Sequence, residues 1–236
     1  MPIPSTITTR LQVRNRLIIL LSVITLALLC SCSDDDSWAP AYITDFAEIR
    51  TDDNGAAIAM TLDDGTTYEQ SGATTSGTLN INTQTLNIQG LKPDTLYRAI
   101  CLYSLQGKAA TLYSLSLAFA PEPQSHMDDI KMDPCTIQSI WRGGDYINAR
   151  MLVQGQDQSH IVAFIDKGIE DRETGYKQLT LYLHHDQNGD AEAFTRIVYL
   201  SCPLHGYADD LVKGRDSVAF VVNQEGKGLT TFMLPY

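Results

Sequence analysis

Leu179–Thr180–Leu181–Tyr182–Leu183–His184 sets a leucine at every second position, with a polar or aromatic residue between. Successive side chains of an extended chain point to opposite faces. This period of two therefore places Leu179, Leu181 and Leu183 on a buried face and Thr180, Tyr182 and His184 on the other. The same beat recurs upstream. Ile58, Met60 and Leu62 alternate with Ala57, Ala59 and Thr61, and Tyr113, Leu115, Leu117 and Phe119 alternate with Leu112, Ser114, Ser116 and Ala118. No segment of helical length carries a 3.6-residue period, and only Tyr207–Val212 suits a short helical turn. The fold class is all-β.

Turn chemistry separates these runs. Asp52–Asp53–Asn54–Gly55 and Asp63–Asp64–Gly65 carry the Asn-Gly and Asp-Gly pairs of tight hairpins. Gly143–Gly144–Asp145 joins Ile137–Trp141 to Tyr146–Val153, and Glu225–Gly226–Lys227–Gly228 joins the last two strands. Ala120–Pro134 holds prolines and polar residues with little apolar content, which reads as a boundary. Residues 41–121 then form a first domain of five or six strands, enough for a small barrel. Residues 122–133 are a linker, and 134–236 form a domain of about seven strands that suits a two-sheet sandwich. The Ser/Thr/Gly-rich Ser71–Thr83 reads as a loop running into a strand. Leu91–Lys92–Pro93–Asp94–Thr95–Leu96–Tyr97 is similar to the tyrosine corner of fibronectin type III domains, which keeps a sandwich open as an alternative for the first domain.

The start of the chain is an address. Arg10, Arg14 and Arg16 form a positive stretch, and Leu17–Leu29 is an apolar run of 13 residues, too short for a comfortable membrane span. Ser31 then precedes Cys32, with Leu29 two positions before Ser31. That is the pattern of a lipoprotein signal, cleaved after residue 31 and lipidated on Cys32. Cys30 is the poorer candidate, because Leu29 would occupy the small-residue position. Residues 32–40, with Ser33–Asp34–Asp35–Asp36, form an acidic tether. Cysteine followed by Ser and several Asp also resembles a surface-export signal of lipoproteins from two-membrane anaerobes. The expected location is the outer membrane, lipid-anchored and exposed at the surface. Membrane attachment runs through two or three acyl chains on Cys32, since one chain alone holds only marginally.

Arg10, Arg14 and Arg16 are the only charged residues before Cys32, so of 17 basic and 28 acidic residues the part from Cys32 onward keeps 14 and 28, a net charge of −14. Nucleic-acid binding needs a basic footprint, so no nucleic acid is expected as a partner. Three cysteines remain beyond Cys32. Cys101 sits in an apolar strand as a core residue, and Cys135 and Cys202 are the pair open to a disulfide.

Catalytic signals are weak. His184–His185–Asp186–Gln187–Asn188–Gly189–Asp190 could offer metal ligands, but it lacks EF-hand spacing and reads as a strand end with an Asn-Gly turn. No Gly-x-Ser-x-Gly elbow occurs, and His126, His160, His184, His185 and His205 have no flanking pattern of a catalytic base. The acid pairs Asp63–Asp64, Asp128–Asp129 and Asp209–Asp210 read as turn or solvated residues rather than glycosidase carboxylates. Trp141 beside Gly143–Gly144 reads as a sandwich-core cap before a ligand wall. The expectation is no enzyme, no catalytic residue, no cofactor and no metal.

Asp133–Pro134, Ile137, Ile140 and Trp141, the run Gly143–Gly144–Asp145–Tyr146–Ile147–Asn148, the strand Leu179–His184 with Asn188–Gly189–Asp190, and Asp216–Ser217–Val218 together resemble the NigD-like lipoproteins. Thr61–Leu62–Asp63–Asp64–Gly65–Thr66–Thr67 is similar to that family's early hairpin. The resemblance covers most of the chain beyond Cys32, more strongly after residue 133. It implies an N-terminal OB-like barrel, a C-terminal β-sandwich and no cofactor. The family is named for a gene near a bacteriocin locus, which implies an immunity role exercised by binding a protein or peptide. An accessory glycan- or nutrient-binding lipoprotein is the alternative, and it calls for coplanar exposed aromatics on one face.

Overall fold

Thirteen strands follow one another along the chain in a computed structural model that describes residues 41–70, 77–82, 90–173 and 175–236. The leader, Cys32, the acidic tether and most of the loop at Ser71–Thr83 lie outside the described residues. Pro40–Tyr236 forms one compact unit. No helix among the described residues is long and apolar enough to cross a membrane.

The first six strands are β1 (Tyr42–Thr51), β2 (Ala57–Leu62), β3 (Thr67–Glu69), β4 (Gly77–Ile81), β5 (Leu96–Gln106) and β6 (Ala109–Leu117). They close into a barrel in the order β1-β2-β3-β4-β6-β5, with β3–β4 and β4–β6 parallel and the rest antiparallel. The interior holds Ala47, Ala57, Ala99, Ala110 and Cys101 beside Ile49, Met60, Tyr68, Leu79, Tyr103 and Leu112. Small side chains among large ones are what a narrow barrel needs, since its lumen must be filled by its own residues.

The expected core face of β6 is corrected here. Opposite Leu102 and Tyr103 of β5 stand Ser114 and Leu112, so Tyr113 is an extra residue, a β-bulge. The bulge shifts the phase of the strand. Leu112 points into the barrel, Leu115 packs against the same core, and Leu117 and Phe119 end up exposed.

The tyrosine corner forms as a local motif: the Tyr97 hydroxyl accepts a hydrogen bond from the Lys92 amide at 2.7 Å. The fold around it is nevertheless a closed barrel and not a sandwich. The corner is a contact across five residues, and it does not depend on which strand lies beyond.

The remaining strands are β7 (Thr136–Gly143), β8 (Tyr146–Gly155), β9 (Ile161–Asp171), β10 (Lys177–Asp186), β11 (Phe194–Pro203), β12 (Ser217–Gln224) and β13 (Gly228–Pro235). They form a three-stranded sheet, β11-β8-β7, and a four-stranded sheet, β13-β12-β10-β9. Only β10 and β12 pair in parallel within these two sheets. The helical turn expected over Tyr207–Val212 is found earlier, as a single 3₁₀ turn at His205–Tyr207. The inner faces meet in one core: Ile147, Ala149, Met151 and Val153 from one sheet, Leu179, Leu181, Leu183, Val218, Phe220 and Val222 from the other. Cys135 and Cys202 belong to this core as free, buried thiols, as Cys101 is in the barrel. Burial pushes Cys101 and Cys135 up to about 12 and raises Cys202 well above its ordinary value.

The segment read as a linker is hydrogen-bonded along its length. Phe119 accepts from the Ser201 amide on β11, and Gln124 exchanges two backbone bonds with Phe164 and Asp166 on β9. Lys131 and Asp133 then flank His185 on β10, and Cys135 bonds Asn223 and Glu225 beside β12. The segment thus passes along the edge strands of both sheets, β11 and then β9, and inserts where β10 and β12 part. Its polar composition is met by backbone partners and not by water alone.

Candidate functional site

Two polar clusters stand out among the described residues. The first lies where the outside of the barrel meets the outside of the three-stranded sheet. β5 alternates, so Ala99, Cys101 and Tyr103 fill the lumen and Arg98 points out, opposite Glu48 of β1. The Arg98 side chain is 3% exposed, an unusual position for a guanidinium. Its Nε donates to Ser201 Oγ at 2.9 Å, and Nη2 donates to Asp63 Oδ2 at 2.8 Å and Asn148 Oδ1 at 3.1 Å. Nη1 pairs with Asp63 Oδ1 at 2.6 Å, so the carboxylate is gripped on both oxygens. Asn148 Nδ2 donates to Asp63 at 2.9 Å, and Ser201 Oγ donates to Asn148 Oδ1 at 2.7 Å. The guanidinium lies 4.0 Å from the Tyr146 ring centroid, and the Tyr146 hydroxyl donates to Glu48 at 2.7 Å.

Asp63 and Asp64 therefore divide their work. Asp64 caps the hairpin by accepting from the Thr66 amide, which holds its carboxyl below the ordinary carboxylate range. Asp63, read as hairpin chemistry, instead reaches across to the sandwich. Trp141 is also corrected: it packs on Phe46 of the barrel, ring centroids 5.8 Å apart, and does not belong to the sandwich core. A cleft of about 400 Å³ opens beside the Arg98–Asp63 pair, lined also by Glu48, Asp64, Asp145, Tyr146 and Lys213. Its acids are already engaged; Asp145 pairs with Lys213 at 2.6 Å, and that bond lowers its carboxyl.

The second cluster is at the far end of the sandwich. The Asp190 carboxylate is fully covered and accepts from the amides of Gln156, Asp157 and Gln158 at 2.7, 3.1 and 3.0 Å. Arg196 pairs with it at 2.6 Å and His160 Nε2 lies 3.3 Å away. Burial alone would raise this carboxyl, but the three amides and His160 outweigh it and hold it far below the usual range. His160 Nδ1 is 2.9 Å from His185 Nε2, and His185 Nδ1 is 2.9 Å from the Asp133 carbonyl. Both His160 nitrogens are thus occupied, so this ring has none to offer as a base to a nucleophile. The stretch His184–Asp190 ends in an Asn-Gly turn, with Asn188 at φ 54° and Gly189 at φ 71°. No group of metal-ligating side chains converges there or elsewhere among the described residues. His126 pairs with exposed Asp128 at 2.9 Å, and His205 with Glu122 at 3.2 Å, both at the surface.

The model of the NigD-like C-terminal β-sandwich domain matches residues 118–236. The chain belongs to the NigD-like family. It is similar to a NigD-like immunity protein from Bacteroides caccae: 25% identity, 82% of this chain and 92% of that one covered, TM-score 0.61. A protein from Parabacteroides distasonis named as toxin-related shares the fold at 15% identity, with 83% and 93% covered and a TM-score of 0.59. One from Bacteroides fragilis named as a lipoprotein does so at 12% identity, with 84% and 98% covered and a TM-score of 0.53. No curated protein matches the chain. The match to the NigD-like sandwich begins at 118, so it takes in the hydrogen-bonded segment over β11 and β9 as well as β7–β13.

Sequence reasoning missed Arg98, Asn148, Ser201 and Asp63 as partners. One signal was available. In Tyr146–Ile147–Asn148 the outward positions carry a large aromatic and an amide, where a solvent face would carry charge. The His160–His185 contact had no such signal, because it joins residues 25 apart across a loop.

Proposed function

We propose that this chain is a non-enzymatic lipoprotein that binds a protein or peptide at the cell envelope, with an immunity role toward a bacteriocin. The observation that carries it is the likeness to the immunity protein from Bacteroides caccae, at 25% identity over 82% of this chain and 92% of that one. The polar clusters support it. Their groups are spent on each other, Arg98 on Asp63 and His160 on Asp190, and hold elements together with no proton or nucleophile free for chemistry. From Cys32 onward the acids outnumber the bases two to one, and that net charge of −14 favours a cationic partner over nucleic acid.

Exposed Tyr42 meets half-buried Tyr113 edge-on at 73°, and this pair lacks the coplanar rings that the glycan-binding alternative calls for. Attachment through lipid on Cys32 brings the partner search down to the membrane plane, and Asp34–Asp36 would mark the protein for the surface. Deleting the gene in its host is expected to sensitise the cells to toxins of their kin, and undiminished survival across those toxins overturns the immunity role. Cys32→Ala is expected to move the protein from the membrane to the soluble fraction. Replacing Asp34–Asp36 with Ala is expected to reduce surface labelling.

A further inference from the structure

We propose that Asp190, His160 and His185 form a proton-sensitive latch, which holds the β8–β9 loop closed at neutral pH and releases it in acid. The argument is one of proton positions. The Asp133 carbonyl can only accept, so His185 Nδ1 carries a hydrogen. Neutral His185 then presents a bare Nε2, and His160 Nδ1, 2.9 Å away, donates to it. His160 Nε2 faces a carboxylate that can also only accept, so it carries a hydrogen too. The closed state therefore holds one imidazolium, His160, between Asp190 and a neutral His185. A second proton has one place to go, His185 Nε2. There it would point at the His160 N–H across 2.9 Å and set two cations side by side. The contact cannot survive it.

The surroundings set the threshold. His185 lies in β10 and is 1% exposed; burial, first, and the His160 charge push its pKa below the ordinary 6.5, while Asp133 and Asp186 work against them. Lys131 of the segment before β7 is paired with Asp186 at 2.8 Å, and its amide donates to His184 Nδ1 at 3.0 Å. From the β11 side, Arg196 shares the Asp190 carboxylate with His160. Released imidazoles each take up a proton near the ordinary 6.5, so the open state gains two protons there, whereas the closed state already holds one and accepts the other only at lower pH; the latch therefore weakens as pH falls below about 6.5.

Release has a defined consequence. Asp190 collects the three amides at 156–158, so the loop is tied to the same carboxylate as His160. His160 and Arg196 also line an apolar slot of about 300 Å³ with Phe119, Met151, Val153 and Val198, at the open side of the sandwich between β9 and β11. Freeing the loop widens that slot toward the core.

Imidazole nitrogen shifts in the full chain test the ground state. At about pH 6.5, the charge should sit on His160, doubly protonated, with His185 protonated on Nδ1 alone; a neutral His160 beside a cationic His185 overturns the proposal. Amide exchange tests the release. After correction for intrinsic rates, the 156–158 amides should lose protection roughly tenfold between about pH 6.5 and about pH 5. His185→Gln keeps an acceptor for His160 without a titrating ring, and should leave that protection flat. Equal protection at both pH values in the unaltered chain, or the same loss in the variant, overturns it.

Discussion

Arg98 shows how much can rest on one side chain. Its guanidinium makes four contacts, with a carboxylate, an amide and a hydroxyl, and each of those is itself buried or nearly so. Arg98→Met removes the cation and leaves the Asp63 carboxylate without its counter-ion, held in the cluster by the Asn148 amide. Breaking a buried pair from one side costs about 3–5 kcal/mol, and urea unfolding should show a loss of that order. Gly143 is the second such position. A Cβ there would overlap the Asp63 carboxylate and the Asn148 amide. Gly143→Ala should therefore cost about 1–3 kcal/mol in the same assay, although alanine is ordinarily the more favourable residue in a strand. Tyr97→Phe removes the single bond to the Lys92 amide and should cost only about 0.5–1.5 kcal/mol.

Elements were legible in the sequence where their surroundings are simple. β10 buries Leu179, Leu181 and Leu183, as its alternation requires, because it is central in its sheet and one face sees only the core. β6 defeated the same reading. An inserted Tyr113 reverses the phase, and an alternating pattern does not reveal on which side of a bulge it falls. β8 defeated it differently: both faces are covered at its start, the inner by the sandwich core and the outer by the barrel. Core placement also protects the thiols. With Cys101, Cys135 and Cys202 buried and their pKa values raised, none should react with iodoacetamide at mildly alkaline pH in the folded chain. All three should react in denaturant, which mass spectrometry would count.

At the scale of the whole molecule, two carboxylates fasten distant parts of the sandwich and set its acid limit. Asp216 pairs with Arg215 and accepts from the amides of Lys177 and Val212, and Asp190 collects the 156–158 loop. Both are held far below the ordinary 3.8. Their contribution is complete above the unfolded value and is lost as pH falls toward the folded one, because the unfolded chain takes up the proton first. Thermal unfolding followed from about pH 5 down to about pH 2 should show a steep fall in midpoint. Asp216→Asn should lower the midpoint at neutral pH and flatten that fall.

The sequence by itself determined the strands, their hairpin turns, the division into a smaller and a larger β assembly and the family. Those follow from period-two alternation, from Gly-containing turns and from residues close together in the chain. Only the tertiary structure decided that the first assembly closes into a barrel, that Arg98 is buried against the sandwich, and that His160 meets His185. Closure requires β1 to pair with β5 across some fifty residues, and both polar clusters join side chains from strands and loops far apart in the chain. Alternation says which way a side chain points; it does not say what another strand will place in front of it.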